Sequence, residues 1–187
     1  MPGMNTPSSA VVIAVSASGR HAVRKQSAEA IELVAGHGVL GDAHAGATVQ
    51  HLHAQRKDPA KPNLRQVHLI GRELLDDLAR LGYPVSPGEL GENVLTAGME
   101  LLSLPVGTRL RLGQDAVVSL TGKRDPCSRI NEIRPGLMKL CFTPDAEGRR
   151  TGRIGVLGVV EAGGTVRPGE TVTVELPAEP HRSLEYV

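Results

Sequence analysis

Glycine occurs 22 times and proline 13 times in 187 residues, and neither is confined to one region. Both residues interrupt regular structure, so the apolar runs between them are short. Segments 10–17 (AVVIAVSA), 27–34, 66–70, 92–96, 109–112, 116–121, 154–161 and 171–176 read as strands. Segment 71–81 carries Leu74, Leu75, Leu78 and Leu81 at helical spacing and stops at Gly82. A second helix is predicted over 126–140 from Ile130, Ile133, Leu137 and Leu140, with Pro135 and Gly136 dividing it into two pieces. Segment 36–65 is polar, rich in His and Gly, and without periodicity; loops of this length are usually functional or disordered. About seven or eight short strands, many following one another without a helix between, disfavour a parallel α/β sheet. They favour a mainly β fold, a barrel or sandwich with a few short helices attached.

The chain is long enough for one domain with its own core. Lys and Arg total 21 against 20 Asp and Glu, so no global field draws it to nucleic acid or to an anionic membrane. It has no Trp, one Phe (Phe142) and two Tyr (Tyr83, Tyr186). The core must therefore be aliphatic, base stacking on aromatic platforms is excluded, and an interface anchored by aromatic rings is disfavoured. Two cysteines, Cys127 and Cys141, do not make a disulfide framework. No apolar run approaches the roughly 18 residues of a membrane span. Residues 1–9 read as a polar, disordered arm rather than a signal peptide, 10–177 as the folded domain and 178–187 as a tail. A cytoplasmic setting with free thiols is expected.

Three segments carry chemistry. In Thr121-Gly-Lys-Arg-Asp-Pro-Cys127 a strand ends, two cations follow, and Pro126 precedes the cysteine. If Pro126 opens a helix, Cys127 lies in its first turn, where free N–H groups favour a thiolate. Lys123 and Arg124 act in the same sense. Such a sulfur is a nucleophile, a persulfide carrier or a metal ligand, and the alternative is a small buried thiol. Cys141, between Leu140 and Phe142, is expected to pack in the core. In 38–46 (GVLGDAHAG) Asp42 stands next but one to His44. That spacing lets a carboxylate orient an imidazole, bind a polar heterocycle or ligate a metal, or marks a turn whose Asp caps the backbone. His44, His51 and His53 form a weak zinc candidate. In 88–98 (GELGENVLTAG) Glu89, Glu92 and Asn93 could hydrogen-bond the edge of a pterin-like ring, or form a charged turn. Arg149, Arg150 and Arg153 form a basic run suited to a phosphate, a partner or a solvated face.

In this order, GVLGDAHAG (38–46), RQVHLI (65–70), the block 88–113, TGKRDPCSRI (121–130) and the block 152–177 resemble a MOSC domain over nearly the whole chain. The resemblance implies a MOSC-type (pyruvate-kinase-like) β-barrel. It implies one reactive cysteine, matched by Cys127, that carries sulfur or coordinates the molybdenum of a pterin cofactor. Asp42 and His44 match the family's GD-x-H element and Asn93 its G-E-N element. Asp42, His44, Glu92, Asn93, Lys123 and Arg124 are accordingly expected to bind molybdenum cofactor. The family often has a cation between the Asp and the His, where this chain has Ala43; Lys123 and Arg124 would then supply the charge. Pyridoxal phosphate enters only by family association, because the domain that uses it is absent here. The implied partners are a pterin or small molecule and a sulfur donor or electron-transfer protein. The implied activities are sulfur transfer and molybdenum-dependent reduction of N-hydroxylated compounds. A non-catalytic binding module, with Cys127 as filler, is the alternative.

Overall fold

The computed structural model describes residues 10–187; the arm assigned to residues 1–9 lies outside them. The chain runs β1 (Ala10–Ala17), β2 (Gln26–Ala28), β3 (Ile31–Val34), β4 (Gly38–Val39), α1 (Leu52–Lys57), β5 (Val67–Gly71), α2 (Arg72–Arg80) and β6 (Val94–Ala97). It continues through β7 (Arg109–Leu112), β8 (Ala116–Lys123), α3 (Leu137–Leu140), β9 (Phe142–Pro144), β10 (Arg150–Gly152), β11 (Val156–Ala162), β12 (Gly164–Val166) and β13 (Thr171–Glu175). The fold is mainly β, as the short apolar runs predict.

The principal sheet has the order β13-β7-β8-β11-β5-β6-β1-β2, and a further pairing of β13 with β1 closes seven of these strands into a barrel. β6 occupies one edge of β1. The other edge is divided: Ala10 and Val11 pair with β13, whereas Val15, Ser16 and Ala17 pair with β2. Within this sheet β5 and β6 are parallel and the remaining pairs antiparallel.

The barrel interior is filled by Val12, Val15, Val67, Leu69, Val94, Leu110, Leu112, Val118, Leu120, Val156 and Val160, all aliphatic as the composition requires. A second cluster lies under α2, where Leu74, Leu75 and Leu78 meet Ile70, Leu90, Leu95, Ile130, Leu137, Cys141 and Ile154. A register shift between Val12 and Ala14 lets β1 serve both cores. Strand side chains alternate, and a bulge resets the alternation. Val12 and Val15 face the barrel, while Ile13 and Ala14 pack on the helical cluster.

Several sequence boundaries shift. The strand expected over 27–34 is split into β2 and β3. The loop 36–65 contains β4 and the one-and-a-half-turn α1, neither of which has a periodic signature. The helix expected over 126–140 is a 3-10 turn at Ser128–Glu132 followed by α3, and Gly136 between them has φ 86. Strand β12 and the β9–β10 hairpin are additional. Segment 178–187 packs on the barrel: Leu184 is buried, and the Lys123 N–H donates to the Glu185 carbonyl at 2.7 Å. No helix among the described residues is long and apolar enough to cross a membrane.

Gly155, entering β11, has φ +86, and a Cβ there would lie 2.0 Å from the Leu69 carbonyl oxygen. Gly155→Ala is therefore expected to cost about 2–4 kcal/mol, combining backbone strain with a clash against a ladder strand. Urea denaturation midpoints of the two proteins check this.

Candidate functional site

A cleft of about 220 Å³ opens where the loops after β1, β4 and β8 meet the start of β6. Its wall includes His44, His68, Asn93, Arg124 and Cys127, together with Lys25 and Arg65. Cys127 is exposed and its sulfur is free. Cys141 is buried with its thiol pushed up to about 11 by burial, in keeping with a core role.

Cys127 does not lie in the first turn of a helix. It is an extended residue (φ −111, ψ 162) preceding the five-residue 3-10 turn, too short to supply a useful macrodipole. The helical part of the expectation fails, and of the two expected cations only Arg124 shares the cleft wall with Cys127. Lys123, last in β8, points to the other side of the strand end. Its ammonium lies 3.2 Å from the Thr151 hydroxyl and 5.5 Å from the centre of the Tyr186 ring. The pleat separates two cations that are adjacent in sequence, so Lys123 is not a cleft residue.

Arg124 is held from below. Its Nη1 donates to the Leu90 carbonyl at 2.7 Å and to His68 Nδ1 at 2.9 Å. A guanidinium has only donors, so Nδ1 carries no proton, and His68 Nε2 donates to the Ile154 carbonyl at 2.7 Å. His68 is thus a neutral Nε2–H tautomer; burial first, and then the Arg124 cation, hold its pKa well below the usual histidine range. The guanidinium passes directly over Gly91, which has φ +83 and whose Cβ would lie 3.1 Å from Nη1 and 2.8 Å from the Val23 carbonyl. This explains a glycine at the first position of the G-E-N element.

Asp42 does not line the cleft. Its carboxylate is buried and accepts five donors: the Ser18 N–H (3.1 Å), Lys25 Nζ (2.8 Å) and Asn93 Nδ2 (3.0 Å) on Oδ2, and the His44 N–H (2.9 Å) and Nδ1 (3.2 Å) on Oδ1. Burial alone would raise its pKa; the hydrogen bonds from His44 and the Lys25 ammonium outweigh burial and hold it below the usual carboxylate range. Asp42 orients His44, one of the roles the spacing suggests. Its hydrogen bond raises the His44 pKa, but burial and the Lys25 cation together lower it further, leaving a neutral imidazole at the cleft wall.

Asn93 touches the cleft yet has no amide donor free. Its Nδ2 donates to the Ser16 carbonyl at 3.1 Å and to Asp42, while Oδ1 accepts the His68 N–H at 3.1 Å. It stitches β5, β6 and β1 together instead of reading a ring edge. Glu92 is buried behind the wall, with Oε1 accepting the Gly88 N–H and Oε2 without a partner. Burial raises its pKa to about 7. Neither residue is placed to hydrogen-bond a ligand. Among the described residues no group of three His, Cys, Asp or Glu side chains is placed to hold a metal ion, which removes the His44, His51 and His53 zinc set. Of the basic run, Arg149 pairs with Asp145 and Glu147, Arg150 stacks on Phe142, and Arg153 pairs with Asp77.

Lys25 and Arg65 were not apparent as candidates. Lys25 is isolated between two strands, and nothing local links it to Asp42. Arg65 ends the aperiodic stretch 36–65 and His68 lies within the strand read over 66–70, so neither carries a local signal of its own.

A barrel of this topology with one exposed cysteine in a cationic cleft defines a recognisable class. The family model for the MOSC domain matches residues 44–173, more than half of the sequence, and the chain belongs to that family. A relative, YuaD of Bacillus subtilis (strain 168), is named provisionally for metal-sulfur cluster biosynthesis. It is 29% identical over 153 residues, spanning 73% of this chain and 76% of YuaD. The crystal structure of YuaD superposes with a TM-score of 0.75 at 22% identity, covering 91% of this chain and 97% of that one. YiiM from Geobacillus stearothermophilus superposes at 0.60 with 17% identity, over 92% and 77% of the two chains. YiiM from Escherichia coli does so at 0.60 with 19% identity, over 92% and 73%. These superpositions establish the shared fold.

Two substitutions test the buried carboxylates. Asp42→Asn leaves Lys25 buried without a counter-charge and is expected to cost about 3–5 kcal/mol. The Asp42 contribution is present above the ordinary carboxylate range and is lost as pH falls below it. Glu92 behaves oppositely. Its folded-state pKa is raised from 4.5 to about 7, so its contribution is full below pH 4.5 and is lost as pH rises through about 7, a change of roughly 3 kcal/mol. Glu92→Gln should flatten that limb, as read from chemical denaturation at pH 5, 6, 7 and 8.

Proposed function

We propose that this chain binds molybdenum cofactor in the cleft and carries sulfur on Cys127. The observation behind this reading is a free, exposed thiol on the wall of a cavity that also presents Lys25, Arg65, Arg124 and Arg129. One soft sulfur donor beside several cations fits a thiophilic metal on an anionic pterin. Bound there, the cofactor would supply a redox-active metal beside the Cys127 sulfur, with Arg124 and Arg129 on the same wall to meet its anionic groups. Few rings are available to sandwich a pterin, so backbone groups around Gly91 and the guanidinium planes would have to serve.

For sulfur carriage, the Cys127 thiolate attacks the outer sulfur of a donor persulfide. A new S–S bond forms at Cys127, the donor's S–S bond breaks, and the donor leaves as a thiolate, with no net oxidation. Neutral His44, locked by Asp42 through Nδ1, leaves Nε2 as a proton acceptor in the same cleft. A second reading uses the same thiol as the molybdenum ligand in reduction of N-hydroxylated compounds, with electrons from a partner protein. Free thiols at Cys127 and Cys141 support a reducing, cytoplasmic setting.

Pyridoxal phosphate does not fit as a covalently held group. Lys25 is the one lysine on the cleft wall, and its buried ammonium lies 2.8 Å from Asp42.

Protein purified from a cofactor-competent host should contain molybdenum and fluorescent pterin, and Cys127→Ser should lose the metal. Persulfide labelling should map to Cys127. Equal molybdenum in both proteins would count against Cys127 as ligand, and labelling elsewhere would count against the carrier. Full function in Cys127→Ala would favour a non-catalytic binding module.

A further inference from the structure

On the far side of the cleft wall lies a second cavity, of about 320 Å³. His44, His51 and Arg65 line both cavities and form the partition between them. The volume falls at the lower end of the range of small-ligand sites, roughly 300–1,000 Å³. Lys61, Leu64, Tyr186 and Val187 contribute to its other walls, and no Asp or Glu side chain lines it, the Val187 α-carboxylate being the one carboxylate of a lining residue. Leu64 and Tyr186 are 39% and 46% exposed, so two of the chain's few uncovered large apolar side chains meet here.

Arg65 gives the cavity its chemistry. It is half-buried, and burial lowers its pKa; Asp125, on the cleft side, acts on it from beyond ion-pair distance. Among the described residues its guanidinium makes no hydrogen bond and no ion pair. A half-buried guanidinium whose nearest acting carboxylate lies beyond ion-pair distance keeps its donors for a ligand. The backbone that presents it is fixed: Asn63 Oδ1 accepts the Arg65 N–H at 2.9 Å, and Asn63 Nδ2 donates to the His44 and Gly46 carbonyls at 2.9 and 3.0 Å. Thr121 Oγ1 donates to the Leu64 carbonyl at 2.6 Å. Asn63 is itself buried. The site is thus ordered before a ligand arrives, which lowers the cost of binding.

We propose that this second cavity binds a small organic carboxylate, with Arg65 taking the carboxylate in its planar fork and Leu64 and the Tyr186 ring covering the apolar body. Lys61 strengthens the positive potential. A planar, two-oxygen anion matches a guanidinium bidentately, and the apolar wall selects a carboxylate with a body over a bare inorganic anion. The site does not use Cys127, although Arg65 also lines the cleft of the proposed function, so Cys127→Ser is the variant that separates the two readings.

Titration of histidine-labelled protein with benzoate, acetate and inorganic phosphate, followed by NMR, tests it. Benzoate should give saturable shifts at His51 and His53 and bind more tightly than acetate or phosphate. Arg65→Gln should weaken benzoate about tenfold or more, Arg65→Lys less so, and Lys61→Glu, at an exposed position, should weaken it without lowering the melting temperature. Cys127→Ser should bind benzoate like the wild type. Absence of saturable shifts, benzoate binding indifferent to Arg65→Gln, phosphate binding as tightly as benzoate, or loss of benzoate binding in Cys127→Ser would each overturn the assignment.

Discussion

The carboxylate of Asp42 is the interaction on which the site depends. Five donors converge on its two oxygens, from the end of β1, the approach to β2, the loop after β4 and the start of β6. Four separate chain segments are thereby fixed by one buried charge, and each loses its anchor if that charge is removed. Removing the Lys25 side of the pair would leave the buried Asp42 charge with four hydrogen bonds but without the ammonium. The arrangement also explains why His44 is neutral yet rigid: the ion that orients it is already matched by a nearer cation.

Around this anchor the barrel supplies stiffness without aromatic bulk. Its interior is built from Val and Leu, whose small, well-defined side chains suit a narrow seven-strand ring. Polar groups that enter the core, such as Asn93 and His68, arrive with partners for the groups they bury. The side chains of Asn93 and His68 are thus committed to the floor of the cleft, Glu92 Oε2 stays unpartnered behind it, and Cys127, His44 and the guanidiniums line the wall.

Much of the fold was legible because its signals are local. The aliphatic run of β1, the leucine spacing of α2 and the apolar surroundings of Cys141 each depend on residues within a few positions. The Asp42–His44 pairing was legible for the same reason. The Lys25–Asp42 ion pair, the Arg124–His68 contact and the partition at Arg65 were not, since each joins segments distant in sequence that only barrel closure brings together. Lys123 and Arg124 show the complementary failure: neighbours in sequence are sent to opposite sides by strand pleating. Glu92 and Asn93 carry the right functional groups for ligand binding, but Asn93 is spent on Ser16, Asp42 and His68, and Glu92 is buried with one oxygen on the Gly88 N–H.

The divided edge of β1 bears on how the chain folds. β2 can pair with the second half of β1 soon after it forms, through a short connection. The first half waits for β13, so Ala10 meets Val172 only when almost every intervening strand has been laid down. Ring closure is thus a contact of very long loop length, and loop entropy opposes it until the rest of the barrel holds the ends near each other. Until then the first half of β1 and the facing edge of β13 are open strand edges of the kind that pair with other chains. The final pairing that completes the barrel is also the one that covers these two edges.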